Sequence, residues 1–273
     1  MQFELTEEFI EDIIVAIEKE DSSFLIGHLN SLHPADIAEV LDVVNLKEAQ
    51  FLYKLLDEEV ASDVLVEIDE DTREQFLASF STEEIAESLE NMQSDDAADV
   101  IQELSESQQE EVLNAIKDES QSSEISKLLN YDEDSAGGVM DLDFVAATWS
   151  WTVKKTLQKL RAQVDNVDQV YTIYVVDDNK RLMGTLSLKR FLYASDDTLI
   201  KDIFQDEPIS VDVTEPAEKV ASVMEKYDLV AIPVTDESSI LLGRITIDDA
   251  VDVIKEEAEK DYQMASGISE KVE

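Results

Sequence analysis

The sequence predicts an α+β, multidomain chain. An all-α superhelical repeat domain comes first, a tandem pair of β-α-β-β-α units follows, and an acidic C-terminal connecting helix ends the fold. Three observations predict this. A short apolar unit recurs through the first half at offsets of 11, 13, 12, 12 and 12 residues. A strand-turn-strand-helix pattern occurs twice in the second half at a constant offset of 59. Between them, near residue 137, the composition changes from uniformly helix-forming to β-rich with glycine.

The recurring unit is AEVL at 38–41, AQFL at 49–52, SDVL at 62–65, EQFL at 74–77, AESL at 86–89 and ADVI at 98–101. A period near 12 fits one short helix and a tight turn per unit, and such units bury their apolar faces only by stacking on neighbours. Up to residue 130 the sequence has one proline, Pro34, and one glycine, Gly27. Ser81 with Glu84, and Ser94 with the acids after it, read as helix N-caps. Phe9, Ile10, Ile13, Ile14 and Ile17 form the apolar face of a longer helix within residues 1–20.

In the second half, YTIYVVDDNKRLMGTLSLKRFLYA (171–194) is matched by VAIPVTDESSILLGRITIDDAVDVI (230–254). Ile173 aligns with Ile232, Val175 with Val234, Gly184 with Gly243 and Ser187 with Thr246. Each segment is preceded by a candidate strand, 143–146 or 209–213, and an amphipathic helix, 153–160 or 217–227. A duplicated unit of this kind packs as a pseudo-two-fold pair with a cleft between its repeats. Domain bounds follow at 1–131, 132–200 and 201–260, with 261–273 as a linker. Ser135-Ala136-Gly137-Gly138 suggests a hinge between Asp134 and Gly138.

Composition narrows the function. There are 65 acidic against 21 basic residues, a net charge of −44, which disfavours nucleic-acid and anionic-membrane binding. The absence of cysteine excludes disulfides, thiolate zinc sites and cysteine nucleophiles, and two histidines leave little for a metal triad. No acid and base pair up in an apolar setting, so an enzyme is not expected. His28 and His33 read as helix or cap residues. No stretch approaches the roughly 20 apolar residues of a membrane span, and the N-terminus lacks a basic signal-peptide start.

The acids cluster. From Glu74 to Ile116 there are 12 acidic residues and no Lys or Arg. Asp95, Asp96 and Asp99 crowd a helix start, with Asp95 and Asp99 at i,i+4. Asp248, Asp249 and Asp252 repeat the pattern, with Asp249 and Asp252 at i,i+3. Such faces are either solvated surface or half-sites for a hard divalent cation. Mg²⁺ fits the second reading, because it takes oxygen ligands, keeps several waters and uses one or two carboxylates directly.

HPADIAEVL (33–41), SDDAADVIQEL (94–104), the junction YDEDSAGGVMDLDFV (131–145) and the duplicated unit together resemble the cytosolic region of an MgtE-type magnesium transporter. That region is a helical N domain followed by tandem cystathionine-β-synthase-type (CBS) repeats. The resemblance covers nearly the whole chain. It implies that Asp95, Asp96, Asp99, Asp249 and Asp252 bind Mg²⁺ between the N domain and the CBS pair. It also implies metal near Glu218, Glu225 and Asp228, at a contact between CBS pairs of a homodimer, and near Asp63, Glu257, Glu259 and Asp261, toward the connecting helix. In the family this region precedes a transmembrane pore bundle, so the chain is expected on the cytoplasmic side of a membrane, as a regulatory portion that favours a closed pore when Mg²⁺ is high. CBS pairs also bind ATP and other adenine nucleotides through a Ser/Thr with Asp three residues on, after a glycine strand. Gly243, Thr246 and Asp249 match this, whereas the first repeat has Gly184 and Ser187 but Arg190 in the acidic place. A nucleotide-responsive regulator and an acidic scaffold for a basic partner are the rival readings.

Overall fold

The computed structural model describes residues 3–162 and 170–266. The chain divides into two compact units, residues 1–126 and 127–273.

The first unit is a run of short helices: α1 (Glu7–Glu18), α2 (Ser22–Leu29), α3 (Pro34–Val43), α4 (Leu46–Tyr53), α5 (Glu58–Glu67), α6 (Glu70–Leu77), α7 (Thr82–Leu89), α8 (Ser94–Gln102), α9 (Glu106–Ala115) and α10 (Glu119–Leu128), the last crossing the unit boundary. Each 12-residue unit is one helix, as its period predicts. The last apolar residue of each unit (Leu41, Leu52, Leu65, Leu77, Leu89, Ile101) is buried. Helices this short are unstable alone, so their order comes from packing and from caps. Asn45 and Ser81 close capping boxes with Glu48 and Glu84, and His33 caps α3 ahead of Pro34. Ser94, expected as a cap, is instead the first residue of α8 behind Gln93, and its hydroxyl donates to Glu124 at 3.4 Å.

The stacking differs from a simple nearest-neighbour pile. α3 packs on α5, α5 on α7 and α7 on α9, while α4 packs on α6, so the repeat alternates between two rows. Polar side chains stitch helices two apart. The Ser62 hydroxyl donates to the Ser88 carbonyl at 2.7 Å, and Arg73 spans from the Val66 carbonyl to Glu103, 2.8 and 2.7 Å away.

The second unit carries two sheets. The first has β1 (Ala146–Thr148), β2 (Thr172–Val176), β3 (Leu182–Ser187) and β4 (Gln205–Asp206), in the order β1-β2-β3-β4. The second has β5 (Val211–Asp212), β6 (Ala231–Thr235) and β7 (Leu241–Thr246), in the order β5-β6-β7. Helices α11 (Val153–Arg161), α12 (Leu188–Tyr193), α13 (Ala217–Tyr227) and α14 (Ile247–Ser266) complete the repeats. The two central hairpins are congruent. Val175 faces Gly184 as Val234 faces Gly243, and each ladder slips at the next residue. β1 and β5 begin two to three residues later than their apolar runs suggest, because their parallel register is set by β2 and β6. α14 reaches Ser266, so residues 261–266 are helical rather than linker.

The junction is not a free hinge. The Ala136 and Gly137 amides donate to the Glu215 and Val213 carbonyls at 2.7 and 2.9 Å, and Ala217 N–H donates to the Asp134 carbonyl at 2.8 Å. A Cβ on Gly138 would lie 2.5 Å from the Asp132 carbonyl oxygen, and one on Gly137 would lie 2.6 Å from the Tyr131 ring. These glycines permit close approach, so residues 134–138 are part of the second repeat. Read as core from their apolar settings in the sequence, Met140 and Met224 are indeed buried, whereas Met183 is 38% exposed on β3.

Candidate metal and nucleotide sites

On α8 the apolar face takes Ala97, Ala98, Val100 and Ile101 inward. Asp95 is only 8% exposed, Asp96 is half-buried and Asp99 is exposed. A step of four residues turns a helix about 400°, so it rotates a rim position by about 40°. That takes Asp99 into solvent from the edge where Asp95 is covered, and the two do not present one open face. Asp63 is exposed on α5.

At the head of α14 the carboxylates are engaged locally. Asp249 Oδ2 accepts from the Thr246 amide and hydroxyl, both at 2.7 Å. The Thr246 hydroxyl also lies within bonding distance of Asp248 Oδ1; its single proton serves one acceptor at a time. Asp249 is half-buried, and burial raises its carboxyl above the usual range despite the two Thr246 bonds; Asp248 and Asp141 add to the rise. Asp252 is exposed and accepts from Lys255 at 2.7 Å. The Thr246–Asp249 pair of the nucleotide signature is thus a helix-capping pair here. In the first repeat Ser187 caps α12 through the Arg190 amide at 3.3 Å, which needs no acid at 190.

Glu218 and Glu225 are exposed on α13. Asp228 ends that helix in the left-handed region at φ 52°, where Asp is better tolerated than most residues. Glu257 accepts from Lys260, one turn on, at 3.3 Å. The Glu259 and Asp261 side chains lie outside the described residues. Among the described residues, no group of three or more acids or histidines converges closely enough to hold a metal ion. The predicted clusters are therefore half-sites at most within each unit.

Sequence reasoning missed one polar centre. Arg244 on β7 and Asp141 form a buried ion pair, side chains 7% and 3% exposed. Beside it the Tyr174 hydroxyl is buried with no hydrogen-bond partner among the described residues, and burial pushes it up to about 12. A lone arginine inside the apolar strand LLGRIT was the available signal, since a buried charge requires a partner.

Comparisons with known proteins bear on these sites. Residues 32–134 match the family described as the MgtE intracellular N domain, and residues 200–256 match the CBS domain. The magnesium transporter MgtE of Enterococcus faecalis is 40% identical over 148 residues, 54% of this chain and 33% of that protein. The MgtE of Thermus thermophilus is 36% identical over 146 residues, 54% of this chain and 32% of that protein. A crystal structure of the soluble part of a magnesium transporter superposes with a TM-score of 0.79 at 32% identity, covering 92% of this chain and 99% of that one. The cytosolic domain of the Mg²⁺ channel MgtE in complex with ATP gives 0.82 at 29% identity, covering 89% and 99%.

A helical repeat unit joined to a CBS pair is the architecture these matches share: that of the soluble part of a magnesium transporter and of the MgtE cytosolic domain. The chain belongs to the MgtE family. It spans about a third of the length of the curated relatives it matches. Among the described residues, no helix is long and apolar enough to cross a membrane.

Proposed function

We propose that this chain is the Mg²⁺-sensing regulatory region of a magnesium transporter, on the cytoplasmic side of its membrane and without enzymatic activity of its own. The observation that carries the reading is the acidic head of α14, in a chain of this family with a net charge of −44. Asp248 and Asp252 are exposed there, and burial raises the Asp249 carboxyl above its usual range, which a bound cation would reverse. Two such acidic faces repel, and hard oxygen ligands favour Mg²⁺ as the counter-charge between them. Asp95, Asp96 and Asp99 of the helical unit supply the opposing carboxylates. Glu218, Glu225 and Asp228 serve a CBS-mediated homodimer, and Asp63 supplies a further half-site.

Mg²⁺ acts by population shift. Carboxylates brought together in a compact arrangement bind the ion better than separated ones, and only that difference moves the equilibrium. The compact state favours a closed pore in the attached transmembrane domain. Asp95→Ala with Asp249→Ala tests the bridge: the Mg²⁺ concentration for compaction should rise at least several-fold. An unchanged midpoint contradicts the assignment.

A second reading has one observation in its favour. Thr246 and Asp249 keep the ribose-binding signature, and a relative's cytosolic domain was crystallised with ATP. ATP binding would require Asp249 to trade its Thr246 bonds for a ribose. Titration with ATP in EDTA separates the two readings.

A further inference from the structure

A small cavity of about 180 Å³ in the second unit is walled by three segments: the junction, the head of α13 and the middle of α14. Four carboxylates line it: Glu133, Asp134, Glu218 and Glu257. A cavity so charged calls for a cation. The chain supplies one. Lys260 Nζ donates to Asp134 Oδ1 at 3.1 Å and to Glu257 Oε1 at 3.3 Å. The Asp134 bond, with the charges of both acids, holds the ammonium above its ordinary range. Of the neighbouring lysines, Lys219 is paired with Glu215 and Lys255 with Asp252.

The family resemblance places a metal near Glu257, and the geometry assigns that carboxylate differently. We infer that Lys260 is the resident counter-ion of this cavity, fastening α14 to the junction without metal. The physical reason is effective concentration. An ammonium on the same helix, one turn from Glu257, is always at hand, whereas a free ion must bind from solution and shed water. Lys260 also reaches across to Asp134, which a ligand-only role for Glu257 would leave unexplained. The distal half of α14 is then held at every Mg²⁺ concentration, and any metal response is confined to the head of the helix. The inference stands whether or not the head of α14 binds Mg²⁺.

The Lys260 and Asp134 side chains are 48% and 66% exposed. The fastening is therefore weak and salt-sensitive, worth about two- to fivefold in a local opening equilibrium. Amide hydrogen exchange on the whole chain reads this at residues 132–136 and 255–263, with MgCl₂ against KCl at matched ionic strength. In the parent, protection of both segments should be the same in the two salts and fall about two- to fivefold at high KCl. In Lys260→Met it should be lower by about two- to fivefold in both salts. Unaltered exchange elsewhere in the variant shows that the fold is intact. Two results overturn the inference: Mg²⁺-dependent protection of 132–136 in the parent, or unchanged exchange in Lys260→Met. Loss of compaction at the helix head leaves both readouts in place, so the two ideas fail separately.

Discussion

Arg244 Nε and Nη2 both bond one carboxylate oxygen of Asp141, each at 2.8 Å, while the two residues also exchange main-chain hydrogen bonds at 2.8 and 2.9 Å. This doubly made contact anchors the junction to β7, three residues before α14 begins. Gly243 sits beside it, and a Cβ there would come within 2.8 Å of the Asp141 carbonyl oxygen. The first repeat has the same arrangement at Gly184, which admits β4 so closely that a Cβ would lie 2.0 Å from the Gln205 carbonyl oxygen.

Arg244→Met leaves the Asp141 charge buried and unpaired. It should destabilise the second unit by about 3–5 kcal/mol in urea unfolding. Arg244→Met with Asp141→Leu should recover most of that loss, since removing both charges removes the desolvation cost. A double variant no more stable than the single one contradicts this account.

Gly138→Ala separates a packed junction from a flexible one. The added Cβ meets the Asp132 and Glu133 carbonyl oxygens at 2.5 and 2.7 Å, and backbone cannot give way cheaply. A loss of about 1–3 kcal/mol is expected, typical of overpacking. In a flexible hinge, alanine would leave stability unchanged or raise it slightly.

Tyr174 is 1% exposed, and its hydroxyl is unsatisfied. Tyr174→Phe should therefore be neutral or stabilising by about 1 kcal/mol at neutral pH. The alkaline limb gives a second readout. Unfolded tyrosine loses its proton near 10, while Tyr174 holds its own to about 12. Above pH 10 the unfolded state is thus favoured, and this residue costs about 1.4 kcal/mol per pH unit until 12. The phenylalanine variant should lose stability less steeply over that window. Parallel pH profiles would show that the hydroxyl is not buried as described.

The single hydroxyl proton of Ser62 on α5 goes to the Ser88 carbonyl, 2.7 Å away across the helix row, or to the Glu58 carbonyl at 3.0 Å in its own helix. Ser62→Val should destabilise the helical unit by about 1 kcal/mol, as a half-buried acceptor loses its partner. Thermal unfolding followed by circular dichroism checks this.

Much of the fold was legible because it repeats. One helix per 12 residues follows from where Leu41, Leu52, Leu65 and their successors fall, and the congruent hairpins follow from the 59-residue offset. The two-row stacking was not legible, because the period fixes a helix but not which neighbour it meets. The junction was misread because Gly137 and Gly138 look alike in sequence whether they flex or pack closely. Of the site, the acidic trios were visible as charge. The burial of Asp95 and the capping duty of Asp249 depend on what surrounds each helix head. Arg244 and Asp141 are 103 residues apart and no local pattern links them.

The central claim, that divalent ions bring acidic faces together, is tested most directly by small-angle scattering on the purified chain. MgCl₂ is titrated against KCl at equal ionic strength, so that Debye screening is common to both series. The account predicts a fall in radius of gyration at Mg²⁺ concentrations where K⁺ has no effect. Superimposable curves would contradict it and reduce the acidity to solvated surface.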